Sequence, residues 1–216
     1  MTANQTKRDK LRVAIVLMQF AYGGAERMVA LLASHLPLDE LEVKVFCIYG
    51  GPRGNVMEQM VLDHGVQIGY LGKGRGFSPA HVLKTTRVLR EFNADVVHTH
   101  LGAAMYCAHW AKTTGRKVLH TLHNIPEKEF GSFKRRVMRF LYRSGSYVPV
   151  TISERNRDLT ASLYGISEDR VEMVVNPVDV EKFADVSPRP WSVRSWDYAH
   201  VARFGEAKNH KGLVEA

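Results

Sequence analysis

The stretch LRVAIVLMQFAYGGAERMVALLASHL, residues 11–36, decides the fold. Its first seven residues are apolar except for Arg12, as expected of a strand buried on both faces. Beyond the pair Gly23 and Gly24 the period changes, and Met28, Leu31, Leu32 and Leu36 recur at helical spacing. A buried strand, a glycine turn and an amphipathic helix make the first half of a β–α–β unit. The same alternation continues along the chain. Strand-like runs at 41–49, 66–71, 94–100, 117–123, 147–153 and 171–175 alternate with helical stretches near 55–64, 79–92, 103–114, 133–143 and 154–164. The pattern predicts an α/β fold, a doubly wound parallel sheet of Rossmann-like form over residues 1–178, regular from about residue 8.

The composition then changes. NPVDVEKFADVSPRPWSVRSW, residues 176–196, carries three prolines and no long apolar period, which predicts a hinge over 179–196. DYAHVARFGEAKNHKGLVEA, 197–216, reads as a strand, a glycine turn and the start of a helix. One strand and a helical start bury no core of their own, so this piece is expected to open a second, truncated domain.

Length and composition bound the rest. A chain of 216 residues suits one domain with a fragment of another, and 45 % hydrophobic with 24 % charged residues excludes a disordered or fibrous chain. The two cysteines, Cys47 and Cys107, sit in apolar runs and build neither a disulfide framework nor a zinc ribbon, which points to a reducing, cytoplasmic setting. The N-terminus places basic residues before an apolar run, but Arg12 and Gln19 interrupt it and no small-residue cleavage site follows, so it reads as a strand rather than a secretion signal. No apolar run is long enough to span a bilayer. Thirty Lys and Arg against 22 Asp and Glu leave a formal charge of +8, which calls for an anionic partner without choosing one.

Four constellations carry chemistry. MQFAYGGAER, 18–27, puts Gly23 and Gly24 at the carboxyl end of a strand and the start of a helix, where backbone N–H groups approach an anionic or hydroxylated ligand. A plain tight turn is the alternative. The motif is neither a dinucleotide fingerprint nor a Walker A loop, and GKGRGF, 72–77, reads as a basic loop rather than a phosphate cradle. Histidines cluster at two strand ends, His98 and His100 on one and His120 and His123 on the next. Alternation places His98 and His100 on one face, but no third ligand of the right type accompanies them, so no metal site is expected. His123, beside Asn124, is placed to meet a sugar hydroxyl as a neutral imidazole, with a satisfied structural histidine as the alternative. In EFGSFKRRVMRFLYRSG, 129–145, a helical wheel gathers Phe133, Val137, Phe140 and Leu141 on one face and Arg135, Arg136, Arg139 and Arg143 on the other. This suits an anionic membrane surface, or an ordinary helix packed on the sheet. In HVARFGEAKNHKG, Arg203 and Lys208 are spaced so that one turn presents both cations to a diphosphate, with a solvated loop as the alternative.

Taken in order, GGAER (23–27), DVVHTHLG (95–102), HTLHN (120–124), VTISERNRDLTASLYGI (150–166), VVNPVDVEKF (174–183) and ARFGEAKNHKGLVEA (202–216) resemble glycosyltransferase family 4, retaining enzymes of the GT-B fold. The resemblance implies transfer of a sugar from a nucleotide-diphosphate sugar to a glycan or lipid-linked acceptor, in bacterial cell-surface polysaccharide or lipopolysaccharide synthesis. It implies that Gly23 and Gly24 lie against the donor, that His123 contacts the donor sugar as the catalytic histidine, and that Arg203 and Lys208 hold the diphosphate without a metal or other cofactor. The Ser153 segment is a structural mark of the family. Where members often read NGVD this chain has Asn176-Pro177-Val178-Asp179, and Ala202 stands where a glycine often precedes the arginine. The nucleotide-binding domain with its paired glutamates is not among the 216 residues, so the chain alone is expected to be inactive. The membrane contact expected is peripheral, at the inner face of the cell membrane. A catalytically inert acceptor-binding or scaffold module, or half of a split enzyme, is the competing reading. Nucleic acid is not expected as a partner, because no aromatic–basic interleaving or helix-turn-helix pattern accompanies the charge.

Overall fold

The computed structural model describes residues 10–185, 187, 190, 192, 200–202 and 204–215. The chain divides into two compact units, Met1–Val178 and Asp179–Ala216.

In the first unit the apolar run becomes β1 (Leu11–Leu17). Ala14, Ile15, Val16 and Leu17 are all buried because β1 lies in the middle of the sheet with helices on both faces. The other strands are β2 (Leu41–Tyr49), β3 (Gln67–Lys73), β4 (Val96–His100), β5 (Val118–Thr121), β6 (Tyr147–Thr151) and β7 (Glu172–Met173). All pairings are parallel, in the order β3-β2-β1-β4-β5-β6-β7. This is the doubly wound sheet expected, and its order reverses between β1 and β4. The helices are α1 (Gly24–Ala33), α2 (Val56–Asp63), α3 (Pro79–Glu91), α4 (Ala104–Thr114), α5 (Pro126–Glu129), α6 (Ser132–Arg143) and α7 (Glu154–Tyr164).

Alternation along the strands divides the core in two. Ile15, Leu17, Val43, Val45 and Cys47 pack with Val29, Ala30 and Ala33 of α1 and Val61 of α2. Ala14, Val16, Phe46, Ile48 and Val97 point the other way, into a core built on Trp110 of α4 and Met138 and Tyr142 of α6. Helix ends follow local chemistry. The Asn55 side-chain oxygen accepts from the backbone N–H groups of Met57 and Glu58, and Ser153 caps α7 by accepting from Asn156. Ser153 therefore has a structural task. Gly115 and Gly165 close α4 and α7 in the left-handed conformation, φ +68° and +64°.

Three local differences from the sequence expectations have physical causes. The short helix α5 was not foreseen, because its four residues carry no readable period. The last strand keeps only two residues, Glu172 and Met173, both exposed at the sheet edge. The third strand runs on to Lys73, so the basic loop starts two residues later and its one lysine is buried at the strand's end.

The second unit contains short 3₁₀ turns at Glu181–Phe183 and Glu206–Lys208 and the helix α8 (His210–Val214). Much of the expected hinge, most of the expected strand after residue 197, and Arg203 lie outside the described residues.

Candidate functional site

In an open parallel sheet, ligands bind beyond the carboxyl ends of the strands, near the point where the order reverses. Three sequence-selected residues lie along that edge: Gly23 and Gly24 follow β1, and His123 follows β5.

Gly23 is the N-cap of α1 and makes no side-chain cap hydrogen bond, so the first N–H groups of the helix receive nothing from a capping side chain. A Cβ on Gly23 would meet the Glu26 carboxylate at 2.3 Å, whereas one on Gly24 would have nothing within 4 Å. Gly24 thus leaves room at the helix start, while Glu26 folds back over Gly23 at the positive end of the helix.

The histidines form a connected group. His98 and His100 do share a face, with ring centroids 4.2 Å apart. The His98 Nε2 lies 2.8 Å from the Thr121 hydroxyl, and the His100 Nδ1 lies 3.0 Å from the His123 Nε2. On the opposite face, the Thr99 hydroxyl donates to the Leu119 carbonyl, so its oxygen accepts from the His120 Nδ1 at 3.0 Å. His120 therefore carries its proton on Nδ1, and its buried Nε2, which has no partner, is a bare acceptor.

The same reasoning sets the His100–His123 pair. The His100 Nε2 is also buried without a partner. A lone pair left unsatisfied there costs less than an unsatisfied N–H, so His100 is assigned its proton on Nδ1, donating to His123. His123 then carries its own proton on Nδ1 and offers a donor away from the pair.

Burial keeps all four rings neutral. It pushes His123 down to about 4 and His98 to about 4, the latter also lowered by His123, and it pushes His120 to about 3 with help from His123 and His98. His100 is driven well below its usual value by burial first and by its three histidine neighbours second. Among the described residues no group of three or more His, Cys, Asp or Glu side chains is arranged to hold a metal ion.

The loop after β5 is clamped by a residue that sequence reading missed. One Glu129 oxygen accepts from the backbone N–H of Asn124 at 3.1 Å and from its side-chain amide at 2.9 Å. Burial raises the Glu129 pKa, while these bonds and one from the His123 backbone lower it. The signal was in the chain, since α5 sets Glu129 five residues after Asn124, but a carboxylate in a short polar stretch is indistinguishable from a solvated one.

Helix α6 presents a different face from the one the wheel predicts. It buries Met138, Leu141 and Tyr142, while Phe133 and Phe140 remain 76 % and 70 % exposed. The buried arc follows the ring contact of Tyr142 with Tyr164, which turns the helix relative to a wheel drawn from hydrophobicity alone. The four arginines separate accordingly. Arg135 donates to the carbonyls of Glu127 and Phe130, and Arg139 donates to the carbonyl of Leu163. Arg136 and Arg143 are exposed beside Phe133 and Phe140, at spacings i, i+3, i+7 and i+10. In the second unit, Lys208 ends an exposed turn just before α8.

The fold and this edge define a class, the Rossmann-like sheet found in GT-B glycosyltransferases. The family model for Glycosyltransferase Family 4 matches residues 22–182, and the chain belongs to that family. Similar solved structures include Anabaena HepE in complex with UDP and glucose, 16 % identical over 80 % of this chain and 46 % of that one, with a TM-score of 0.64. A glycosyltransferase from Rickettsia africae is 17 % identical, covering 83 % of this chain and 47 % of its own, TM-score 0.65. The lipopolysaccharide outer core galactosyltransferase WaaB in its apo form is 16 % identical over 79 % and 47 %, TM-score 0.57. At these identities the likeness concerns the fold. The chain spans about half the length of these solved structures. No curated protein matches the sequence.

Proposed function

We propose that this chain is the acceptor-side half of a retaining glycosyltransferase that moves a sugar from a nucleotide-diphosphate donor to a glycan or lipid-linked acceptor. Membership of family 4 over residues 22–182 carries the reading. The site chemistry supports it. A neutral His123 whose Nε2 is engaged by His100 offers its other nitrogen to a donor-sugar hydroxyl. Gly24 leaves the start of α1 open to the donor. In this reading Arg203 and Lys208 offset the charge that builds on the departing diphosphate, so neither a metal nor another cofactor is required.

HepE, with UDP and glucose bound, suggests a uridine diphosphate sugar as donor. WaaB suggests cell-surface lipopolysaccharide as a destination. Among the described residues no helix is long and apolar enough to cross a membrane. The exposed strip of Phe133, Arg136, Phe140 and Arg143 suits peripheral contact with an anionic surface, a basic residue near such a surface contributing about 1 kcal/mol. The 216 residues alone turn over no nucleotide sugar in this reading.

The test offers a panel of UDP-, GDP- and ADP-sugars to the full-length protein with soluble and lipid-linked acceptors. Transfer that collapses on His123→Ala supports the proposal. Absence of transfer from every donor overturns the enzymatic reading in favour of a binding or scaffold module, and undiminished transfer by the variant removes His123 from the catalytic role.

A further inference from the structure

A second feature of the carboxyl edge lies at the point of strand reversal, between the ends of β1 and β4. A cavity of about 190 Å³ there has Met18, Tyr49, Gly76, Phe77, Tyr106 and Lys134 among its lining residues. This is room for about one sugar ring and too little for a whole nucleotide sugar, since sites for drug-sized ligands start at about 300 Å³.

Tyr49, Phe77 and Tyr106 give the walls an aromatic part, and Met18 and Met105 complete the apolar lining. Phe77 is 58 % exposed, yet its ring lies 5.5 Å from that of Tyr106 with the planes 33° apart, so the pair forms a shelf with one open side. Tyr106 is buried, and burial raises its pKa, so its hydroxyl stays protonated. Leu101, which leads into this corner, has φ +55°, a conformation a branched side chain adopts only under constraint.

Behind the shelf lies a buried cation. Lys73 is only 3 % exposed and donates to the carbonyls of Gly74 and Gly76. Its ammonium lies 4.8 Å from the Tyr49 ring centroid and 5.7 Å from that of Tyr106, both walls of the cavity. Among the described residues it forms no ion pair with a carboxylate, so carbonyl dipoles and ring faces stabilise the charge without cancelling it. Lys134 on the wall and exposed Arg75 in the same loop add charge of the same sign. A ring-sized aromatic cavity with positive potential behind it and at its mouth fits a saccharide ring bearing a negative group.

We propose that this cavity is the acceptor subsite and that it takes an anionic pyranose, one carrying a carboxylate or a phosphate, with its C–H face on Phe77, which Tyr106 backs, and its charged group toward Lys134. The inference rests on the glycosyl-transfer reading and adds the substrate class.

Binding to the 216-residue chain, read by saturation-transfer NMR without any donor present, tests the subsite separately from transfer. The probes are methyl β-glucuronide, glucose 6-phosphate, neutral methyl β-glucoside, inorganic phosphate and UDP. Either or both of the two anionic pyranosides should bind about tenfold more tightly than the neutral one and than inorganic phosphate. Phe77→Ala should abolish the signal, and Lys134→Ala should bring the anionic sugars to the neutral level. Both side chains are exposed, so neither variant threatens the core. Glucuronide binding alone identifies a uronic acid, and glucose 6-phosphate binding alone identifies a phosphorylated sugar. Equal binding of the neutral glucoside, binding insensitive to Phe77→Ala, or UDP competing for the same residues overturns the proposal. Anionic sugar bound at Phe77 in a protein that transfers from no donor would sink the transfer reading and leave the cavity's ligand class standing. Transfer with no sugar bound at Phe77 would do the reverse.

Discussion

Lowering the pH from about 7.5 to about 5 should destabilise the first unit by about 6 kcal/mol through three of the clustered histidines. His98, His120 and His123 have folded-state pKa values of about 4, about 3 and about 4, against an ordinary value of 6.5. In the folded protein they stay neutral down to those values, whereas the unfolded chain takes up protons as the pH falls through 6.5. Their penalty is therefore absent above that value and grows as the pH falls toward the folded values. Each unit contributes about 1.36 kcal/mol, so each histidine costs about 2 kcal/mol at about pH 5. His100, lowered by burial and by the other three, adds in the same direction. Glu129, raised by burial, offsets a part at the acid end. Against a total stability of about 5–15 kcal/mol, the loss brings the unit near its unfolding transition. Urea unfolding followed by far-UV circular dichroism at the two pH values measures it. His120→Phe isolates one group. It keeps the ring packing against Phe130 and Tyr142 and leaves the Thr99 hydroxyl its bond to Leu119, so the acid loss should shrink by about 2 kcal/mol. A loss under about 2 kcal/mol in the parent protein, or an unchanged pH slope in the variant, would refute the reasoning.

Other perturbations test other links. Asn55→Ala removes a cap on α2 and the buried bond from its amide to the Phe20 carbonyl, and should cost about 2–3 kcal/mol in chemical denaturation. Trp110→Ala empties the core beneath α4, where the indole is 1 % exposed, and should cost about 3–5 kcal/mol or prevent folding in the same assay. For the proposed membrane contact, the double variant Arg136→Glu, Arg143→Glu should abolish flotation with anionic liposomes. Arg139→Lys, whose parent side chain holds the Leu163 carbonyl, should float as the parent does.

The sheet was legible in the sequence because its central strands are buried on both faces. Ala14 to Leu17 need no alternation to declare themselves, since every position meets a helix or a neighbouring strand. The glycine pair and His123 were legible for a related reason, as strand ends in a parallel sheet deliver their following residues to one edge. The partners of His123 were not. His100 reaches it because β4 and β5 are neighbours, a pairing that local period does not encode, and Glu129 reaches the loop through a helix of only four residues.

Helix α6 and Lys73 mark the same boundary from the other side. A wheel reads hydrophobicity, so it grouped Phe133 and Phe140 with Leu141, but the protein buries Tyr142 instead because its ring finds Tyr164. A lysine between glycines reads as a solvated loop, yet Lys73 is buried because the edge strand β3 continues through it and two glycine carbonyls and two tyrosine rings surround its ammonium. Sequence alone determined the alternation of strands and helices and the edge to which Gly23, Gly24 and His123 are delivered, through local period and strand polarity, and the family, through its ordered motifs. Tertiary structure alone decided which nitrogen of His123 is free, which arginines of α6 face outward, and that a buried cation backs an aromatic cavity. Each of those depends on contacts between residues far apart in the chain, whose solvation only packing fixes.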